Sequence, residues 1–522
     1  MKDKNFDIKN IPAEQFEFAV ERDIAHDKKL ATKPVGYFKD AFRRFCKNKG
    51  SVVAAIIIII LVLFAIIAPF CTPYTVAYSD EHFAFALPKN KLFASTNFWD
   101  GCRKTTVNET TFNEYYYAGL ETGHLSVKNN EYTVEGSEND VLYTFRLDTY
   151  LAEGCIYKSV SDAEYKSIQQ YQNETGKQVL YPIVAPRNRP NFPQLQGKLG
   201  NYYYEVKRVA GNKIEPVFDN NGQLKLLYKT HRAGTQNPID EYDSIRIAGD
   251  GENGLEYEYA RPTDTDWEVR VNYYEYYIYS HTYVEKDGIK EPLFLFGATS
   301  SGQDILTCLA SGARFSFLFA IAVAVVNLIV GALYGSVEGY YGGKTDMIME
   351  RVSDILSAVP SVIVITLLKL HMGTSSHILV LFLSFFLTGW IGMAGTTRMQ
   401  FYRYKNQEYV LAARTLGAKD RRLMFKHIFP NALGTLVTSC ALVIPGMIYS
   451  EVNLSYLGII NLTSGNLSSV GTLLAGGQTY LTSFPHIIAF PSIFLALLML
   501  SFNLFGNGLR DAFNPSLRGT EG

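Results

Sequence analysis

Long apolar segments without charge constrain this sequence more than any other feature. The first of them, Val52–Phe70, contains 19 residues and no charged side chain. A helix needs about 20 apolar residues to cross the hydrocarbon core of a bilayer. The alternative, a buried helix of a soluble core, fits poorly because the run is free of charge all round. The sequence therefore predicts a transmembrane helix over residues 51–70, preceded by an N-terminal segment, residues 1–50.

Similar apolar runs follow in the second half of the chain. They are Phe315–Gly335, Ile355–Leu370, Ile378–Ala394, Leu433–Tyr449 and Ile487–Phe505. Together with the first run they predict a mainly α membrane protein with about six transmembrane helices.

The basic residues predict the orientation of these helices. Lys39, Arg43, Arg44, Lys47 and Lys49 precede the first span. The loop from Arg398 to Lys426 is also rich in Arg and Lys, whereas residues 371–377 and 461–483 carry almost no charge. Because cytoplasmic loops carry an excess of Lys and Arg, both termini and the 398–426 loop are predicted to be cytoplasmic. Residues 1–33 lack the apolar core of a signal peptide, so we expect the first span to be retained.

A long polar segment, residues 71–293 and called the insert below, separates the first two spans and is predicted to be extracytoplasmic. Runs such as Val141–Leu147, Tyr202–Val209 and Trp267–Tyr273 alternate polar and apolar residues and are rich in aromatic and β-branched side chains. This pattern predicts a mainly β domain. Its many tyrosines, as in Tyr273–Tyr279, indicate either a docking surface or the core of a simple spacer.

Two cysteines of the insert, Cys102 and Cys155, lie where thiols can oxidise. A disulfide between them would close a long loop and stabilise the domain. Two free buried thiols are the alternative.

The basic loop contains a short predicted helix, Glu408-Tyr-Val-Leu-Ala-Ala-Arg-Thr-Leu-Gly417. Asn406 can cap this helix, and Glu408 is favourable in its first turn. Tyr409, Ala412, Ala413 and Leu416 are predicted to share one face, and Gly417 stands where a positive φ is wanted. A second helix is predicted over residues 419–429, ending at Pro430. These residues indicate an exposed helical hairpin, with a plain solvated loop as the alternative.

This stretch, with His427-Ile-Phe-Pro-Asn431 after it, resembles the EAA loop of ABC importer permeases, in the variant typical of oligopeptide and dipeptide permease C-type subunits. In that family the loop is the coupling helix that inserts into the ATPase subunit. The resemblance therefore implies a coupling loop over residues 398–430. The positions implied to contact the ATPase are Glu408, Tyr409, Ala412, Ala413, Arg414 and Gly417.

The resemblance covers about residues 38–70 and 293–518. It is carried by Gly339-Tyr-Tyr-Gly-Gly343, Leu454-Ser-Tyr-Leu-Gly458 and the tail Phe502–Asp511. One departure is Gly297–Asp304, where the family usually shows G-T-D-x-x-G-R-D. The missing Asp and Arg put a fixed ion pair there in doubt, and the insert is longer than the usual family loop.

The resemblance implies the type I permease fold, with a permease core over residues 294–522 that holds five transmembrane helices. It also implies a bacterial cell-membrane location and no catalysis by this chain. The implied partners are a second permease subunit, two ATP-binding subunits that hold the ATP, an extracytoplasmic substrate-binding protein and a peptide substrate. A nickel complex or glutathione is the alternative substrate.

Other functional classes fit the sequence less well. Gly339–Thr345 resembles a phosphate-binding loop, but Glu338 occupies the position where that loop needs a glycine, so we expect no cofactor in this chain. A two-span receptor would not carry four more spans. A secondary transporter would show mid-span charges and inverted repeats. The net charge of −1 gives no reason to expect a nucleic-acid partner.

Glu451 lies near the predicted outer end of the fifth span. An ionisable residue at membrane depth is costly and therefore indicates function, here a contact with substrate in the translocation path. The alternative is a residue at the end of the span that already lies in the interface.

Overall fold

The computed structural model describes residues 37–93, 97–137, 140–183, 255–372, 377–462 and 468–513, together with short segments between 206 and 248. The described part is mainly helical. Five helices are long and apolar enough to cross a membrane: Lys49–Cys71, Ile305–Tyr341, His377–Tyr404, Asp420–Tyr456 and His486–Phe513. They contain the predicted first, second, fourth, fifth and sixth apolar runs. The prediction of helices at these five positions is confirmed.

Helices are numbered in chain order. The first half contains α1 Tyr37–Lys47, α2 Lys49–Cys71, α3 Glu109–Thr122, α4 Asp162–Thr175 and α5 Tyr273–Tyr279. The second half contains α6 Ile305–Tyr341, α7 Gly343–Ser357, α8 Ser361–Met372, α9 His377–Tyr404, α10 Glu408–Thr415, α11 Asp420–Arg422, α12 Phe429–Tyr456, α13 Val470–Gly477 and α14 His486–Phe513.

The predicted third span, Ile355–Leu370, is a broken helix pair. Helices α7 and α8 are bent by 71° at the break between them. Pro360 explains the break, because proline disfavours the helical conformation in the residue before it and removes a backbone donor. Counting the pair as one span gives up to six candidate spans, in agreement with the predicted number of about six, and the third of them is bent.

Helices α6 and α9 approach each other closely along a row of glycines. Gly331, Gly335 and Gly339 lie four residues apart and so share one face of α6. A Cβ atom added at Gly335 would lie 2.1 Å from the carbonyl oxygen of Ala394, and one at Gly339 would lie 2.7 Å from the Cβ atom of Phe401. Small residues at such positions let two backbones pack with no side chain between them. The row therefore fixes the register of α6 on α9.

The main core of the helical part is built from α2, α6, α12 and α14. Buried side chains include Ala65, Phe319, Val323, Val452 and Leu498, all in one apolar cluster. Many side chains on the opposite faces, such as those of Ile59, Leu318 and Leu367, are exposed in the single chain. Exposed apolar side chains all along a helix are what a lipid or subunit contact requires.

The described part of the insert contains four antiparallel sheets, and the two described first pack against helices. The first has the order β1-β3-β2, with β1 Cys102–Asn108, β2 Val127–Ser137 and β3 Asp140–Asp148, and α3 packs on it. The second joins β4 Cys155–Val160, β5 Leu180–Tyr181, β11 Ala260–Pro262 and β12 Trp267–Asn272. Shorter strands are β6 Val206–Arg208, β7 Ile214–Pro216, β8 Thr230–Arg232, β9 Arg246–Ala248 and β10 Leu255–Glu258.

Strands form at Val141–Leu147 and over Trp267–Asn272, as predicted, whereas most of the predicted strand Tyr202–Val209 lies outside the described residues. The tyrosine run Tyr273–Tyr279 is helix α5 and not a strand. Asn272 starts this helix because its side chain accepts a hydrogen bond from the N–H of Glu275 at 3.0 Å. Several of its tyrosines are buried, so this run provides core rather than a tyrosine-rich surface.

A buried ion pair joins strand β12 of the second sheet to helix α3, which packs on the first sheet. Arg270 of β12 donates to both carboxylate oxygens of Glu121 at the end of α3, at 2.5 and 2.7 Å. The two side chains are 0% and 1% exposed. A paired, bidentate geometry is what makes two buried charges tolerable.

An aromatic cluster connects the insert to the ends of the membrane helices. Tyr74, which follows α2, packs with Phe294, which precedes α6, at a ring distance of 4.9 Å. Tyr150 donates from its hydroxyl to the carbonyl of Leu87 at 2.8 Å, and Phe85 stacks on Phe484 at 4.4 Å. The insert is therefore held against the helix ends through side chains from both of its own ends.

The predicted disulfide does not form in this structure. Cys102 and Cys155 are both free cysteines, the first half-buried and the second buried. Cys102 starts β1 and Cys155 starts β4, so the two residues belong to different sheets. Burial raises the pKa of each thiol to about 12, which makes both poorly reactive.

The glycine row gives the first testable prediction. Gly335→Ala places a methyl group against the backbone of Ala394, so we expect it to lower the free energy of unfolding by about 1–3 kcal/mol. Gly392→Ala on α9 is the matched control, because a Cβ atom there meets nothing within 4 Å. Denaturation of the purified chain in detergent measures both. Equal stability of the two variants would contradict the close packing.

Candidate functional site

The candidate site is the loop between α9 and α12, in which α10 is a separate short helix. Glu408 lies in its first turn, as predicted. The predicted cap is wrong: Gln407 occupies the N-cap position and makes no side-chain cap bond, so Asn406 lies one residue too early. The helix dipole alone favours Glu408 here.

Val410 anchors α10 to the rest of the protein. It is fully buried and packs in a cluster with Tyr340 of α6, Phe401 of α9 and Leu423, which follows α11. Ala413, three residues after Val410, packs at the edge of the same cluster. Sequence reasoning missed Val410. The available signal was its spacing of three from Ala413, followed by the apolar pattern at 423, 424 and 428.

The remaining predicted coupling residues form an exposed surface. Five of the six residues are exposed: Glu408, Tyr409, Ala412, Arg414 and Gly417. The sixth, Ala413, is half-buried. The predicted common face is therefore split, since Ala413 points towards the Val410 cluster. Next to this surface, Leu416 is 88% exposed and Leu411 is 42% exposed. Apolar side chains this exposed on a short helix mark a contact surface.

Gly417 ends the α10 turn in the predicted conformation. Its φ is +81°, and its N–H donates to the carbonyl of Arg414 at 3.0 Å. A Cβ atom added at Gly417 would meet nothing within 4 Å. Backbone conformation, and not space, is therefore the reason for glycine here.

The second helix of the predicted hairpin does not end at Pro430. A π-helical turn, Leu423–Ile428, leads from α11 directly into α12, and the whole of Asp420–Tyr456 forms one long candidate span. Pro430 lies in the first turn of α12. The wider π turn before it accommodates the missing backbone donor, so the helix continues through the proline.

Arg398 of α9 holds α7 against α9 beside this loop. It donates to both oxygens of Asp346 at 2.6 and 2.9 Å and to both oxygens of Glu350 at 2.9 and 3.0 Å. Glu338 of α6 lies 3.6 Å away, and Tyr402 donates its hydroxyl to Asp346 at 2.7 Å. A guanidinium shared between two carboxylates fixes both position and angle. From the sequence alone, Arg398 is interpreted only as one of the positive charges of the loop.

Two further hydrogen bonds connect α6 to the loop. Tyr340 donates its hydroxyl to Asp420 at 2.6 Å, and Lys405 donates to the carbonyl of Gly339 at 2.9 Å. Burial lowers the pKa of Lys405. Together with the Val410 cluster, these contacts attach α10 and its loop to the ends of α6 and α9.

Glu451 lies fully buried in α12, far in sequence from the coupling loop. Three serine hydroxyls donate to its carboxylate: Ser316 at 2.6 Å, Ser469 at 2.6 Å and Ser455 at 3.1 Å. The side chain is 0% exposed, so protein encloses it on all sides. Hydroxyl donors satisfy the carboxylate where water cannot reach it.

A cavity of about 700 Å³ lies next to this carboxylate. Ser455 lines the cavity and also donates to Glu451, whose own side chain is not one of the lining residues. Hydroxyl and amide groups dominate the polar part of the wall, as at Thr299, Gln303 and Asn461. Glu451 therefore lies one side chain behind the cavity wall.

Two sequence features receive a structural explanation. Gly339–Thr345 runs from the end of α6 through a turn at Gly342 into α7, so this stretch lacks the strand of a phosphate-binding loop. At the departure Gly297–Asp304, Asp304 caps α6 by accepting from the N–H of Thr307 at 3.0 Å. The aspartate is thus used for a helix cap.

Comparisons with known proteins match two family models. Residues 327–519 match the binding-protein-dependent transport system inner membrane component, and residues 36–88 match the N-terminal TM domain of oligopeptide transport permease C. The matched residues include α10 and the first candidate span.

Several curated relatives are similar over about 43% of the chain. The oligopeptide transport system permease protein OppC of Bacillus subtilis is 43% identical over 223 residues, which cover 43% of this chain and 72% of that protein. OppC of Haemophilus influenzae is 39% identical, covering 44% and 72%. The dipeptide transport system permease protein DppC of Bacillus subtilis is 37% identical, covering 43% and 69%.

Among solved structures, an inward-facing MetNI methionine ABC transporter chain matches 40% of this chain and 96% of its own length. The sequences are 13% identical and the TM-score is 0.32. A similarity this low supports no detailed comparison.

The Arg398 contacts predict a stability effect. Arg398→Gln leaves Asp346 and Glu350 without their shared cation, and we expect it to lower the free energy of unfolding by about 2 kcal/mol. We expect Arg398→Lys to lower the free energy of unfolding by a part of this amount, because an ammonium cannot pair with both carboxylates bidentately. The control is Arg351→Gln, which removes a solvated pair with Asp354 from a side chain that is 76% exposed. Denaturation curves in detergent that coincide for Arg398→Gln and the control would contradict the proposed role.

Proposed function

Because this chain belongs to the binding-protein-dependent transport system inner membrane component family, we propose that it is a permease subunit of an ABC importer for oligopeptides or dipeptides. The observation that carries the proposal is α10, an exposed helix whose one buried side chain, Val410, joins it to α6 and α9. The relatives named for oligopeptide and dipeptide transport support the substrate class. A nickel complex or glutathione remains the alternative substrate.

The proposed complex contains this chain, a second permease subunit, two ATP-binding subunits and an extracytoplasmic substrate-binding protein. The proposed orientation has the loop and both termini in the cytoplasm of a bacterial cell and the insert on the opposite side, and the basic residues around α10 support it. The exposed apolar faces of the spans provide area for lipid and for the second permease subunit. ATP is bound by the partner subunits, and this chain has no catalytic role.

The proposed mechanism is mechanical coupling. A cleft of the ATPase holds the exposed residues of α10, and ATP-driven closure of the ATPases moves this helix. Val410 passes the movement to the Tyr340–Phe401 cluster, and Arg398 extends it to α7. Because packed clusters have discrete arrangements rather than continuous ones, a small displacement of α10 can shift the spans between two states.

Glu451 is proposed to act on the substrate path indirectly, through Ser455. Its carboxylate orients the hydroxyl of Ser455, which lines the cavity of about 700 Å³. A peptide in this cavity would meet neutral hydroxyl and amide groups such as those of Thr299 and Asn461. Groups of this kind bind the backbone that all peptides share.

Reversing the charge at the start of α10 tests the coupling role. Glu408→Lys places a cation at the positive end of the helix dipole and on the ATPase-facing surface. We expect normal amounts of the chain in the membrane, with association of the ATPase reduced about tenfold, which equals about 1.4 kcal/mol of docking energy. Labelled oligopeptide uptake should fall with it. Glu131→Lys, an exposed position on β2, is the control.

The uptake of nickel and of glutathione is measured in the same cells. Unchanged peptide uptake in Glu408→Lys would contradict the coupling role. Uptake of nickel or glutathione, with none of peptide, in the unmodified complex would contradict only the substrate.

A matched pair of glycines tests the turn after α10. Gly417→Val and Gly176→Val both force a β-branched residue into open space at positive φ, +81° and +69°. Each costs about 1–2 kcal/mol locally. Only Gly417→Val changes the end of α10, so we expect peptide uptake and ATPase co-purification to fall in that variant alone. Equal transport by both variants would show that the turn is not part of the coupling surface.

A further inference from the structure

Three potential metal ligands converge at the end of the insert, outside the coupling loop and on residues that do not line the cavity. His281, Glu285 and Asp287 each offer one ligand atom, and these atoms lie within 4.8 Å of one another. The imidazole Nδ1 lies 2.6 Å from Asp287 Oδ2 and 3.3 Å from Glu285 Oε2. One nitrogen and two carboxylate oxygens thus surround a single point.

In each carboxylate, the oxygen that is not directed at His281 accepts a hydrogen bond from a neighbouring residue. Asp287 Oδ1 accepts from the N–H of Ile289 at 2.9 Å, and Glu285 Oε1 accepts from the hydroxyl of Ser280 at 3.4 Å. These bonds direct the remaining oxygens, Oδ2 and Oε2, towards His281. Ligating carboxylates in metal sites commonly have such outer hydrogen bonds, which orient the ligand atom.

The local backbone brings the three residues together. Ser280–Glu285 is a π-helical turn, and Lys286 after it adopts a positive φ of 54°. The chain therefore reverses between Glu285 and Asp287, so that both side chains reach the same imidazole. The His281 side chain is 11% exposed, whereas those of Asp287 and Glu285 are 33% and 53% exposed. An ion can enter from the carboxylate side.

We propose that His281, Glu285 and Asp287 bind a divalent transition-metal ion, with Zn²⁺ as the preferred ion. One imidazole and two carboxylates are ligands that Zn²⁺ accepts, with water completing a tetrahedral site. Two carboxylates also balance the charge of the ion. Ca²⁺ and Mg²⁺ are disfavoured because they select sites made of oxygen alone.

The bound ion would fasten the segment that leads into α6. Asp287 and Ile289 lie on this segment, and Ile289 belongs to the same apolar cluster as Tyr74 and Phe294. Ligation to His281 would tie the segment to the turn after α5. Because the ion binds the folded chain, it should stabilise that chain in proportion to the logarithm of the free ion concentration.

The test uses the purified full-length chain in detergent, without a histidine tag and stripped with a chelator. Titration with Zn²⁺, followed by calorimetry, should show one binding site. The melting temperature of the chain should rise when this site is filled. His281→Ala and Asp287→Asn should each weaken binding at this site by about a hundredfold. Asp287→Asn keeps the oxygen that Ile289 contacts, so the loop should still fold. His82→Ala is the control, since His82 pairs with Glu153 at 3.2 Å outside this cluster.

Melting curves without metal show whether each variant is folded. Saturable zinc binding that is lost in both site variants and kept in His82→Ala supports the proposal. No saturable binding would overturn it. Equal binding by all variants would also overturn it. Transport is not measured, so the outcome does not depend on the proposed import function.

Discussion

The close contact between α6 and α9 is the constraint on which the rest of this protein depends. Gly331, Gly335 and Gly339 let α6 and α9 approach closely, so the packing selects one register of the two helices. That register places Arg398 of α9 opposite the carboxylates of α7, and it places Phe401 beside Tyr340. In lipid, helices gain little from the hydrophobic effect against one another, and close packing with polar bonds decides how they associate.

The coupling loop derives its order from this contact. Helix α10 has eight residues, which is too short to be stable alone in water. Val410 holds it against side chains of α6 and α9, and the bond from Tyr340 to Asp420 fixes the far side of the loop. The exposed residues therefore stand on a small rigid element rather than on a free loop. A rigid element with a single anchored face is able to transmit a displacement in the way that the proposed mechanism requires.

The insert is organised by polar pairs and aromatic rings. The buried pair of Arg270 and Glu121 joins the β12 sheet to α3 and so to the β1-β3-β2 sheet, and the rings of Tyr74 and Phe294 connect the insert to the ends of α2 and α6. Buried charges contribute little net stability, but loss of one partner is costly, so such a pair specifies one arrangement of the two sheets. The zinc site proposed at His281 lies near the end of the insert that leads into α6. Both ends of the insert are thereby tied to the membrane helices.

The sequence by itself determined the apolar spans and the helix at Glu408, because crossing lipid demands long uncharged helices and because helical periodicity is a local property. Gly417 belongs to this class, since one residue's conformation settles it. Tertiary structure alone decided the rest. The helix through Pro430 and the helical form of Tyr273–Tyr279 depend on packing that no local pattern records, whereas the break at Pro360 follows from the local effect of proline. The separation of Cys102 from Cys155 and the enclosure of Glu451 by serines of three segments are long-range facts, set by which distant residues the fold brings together.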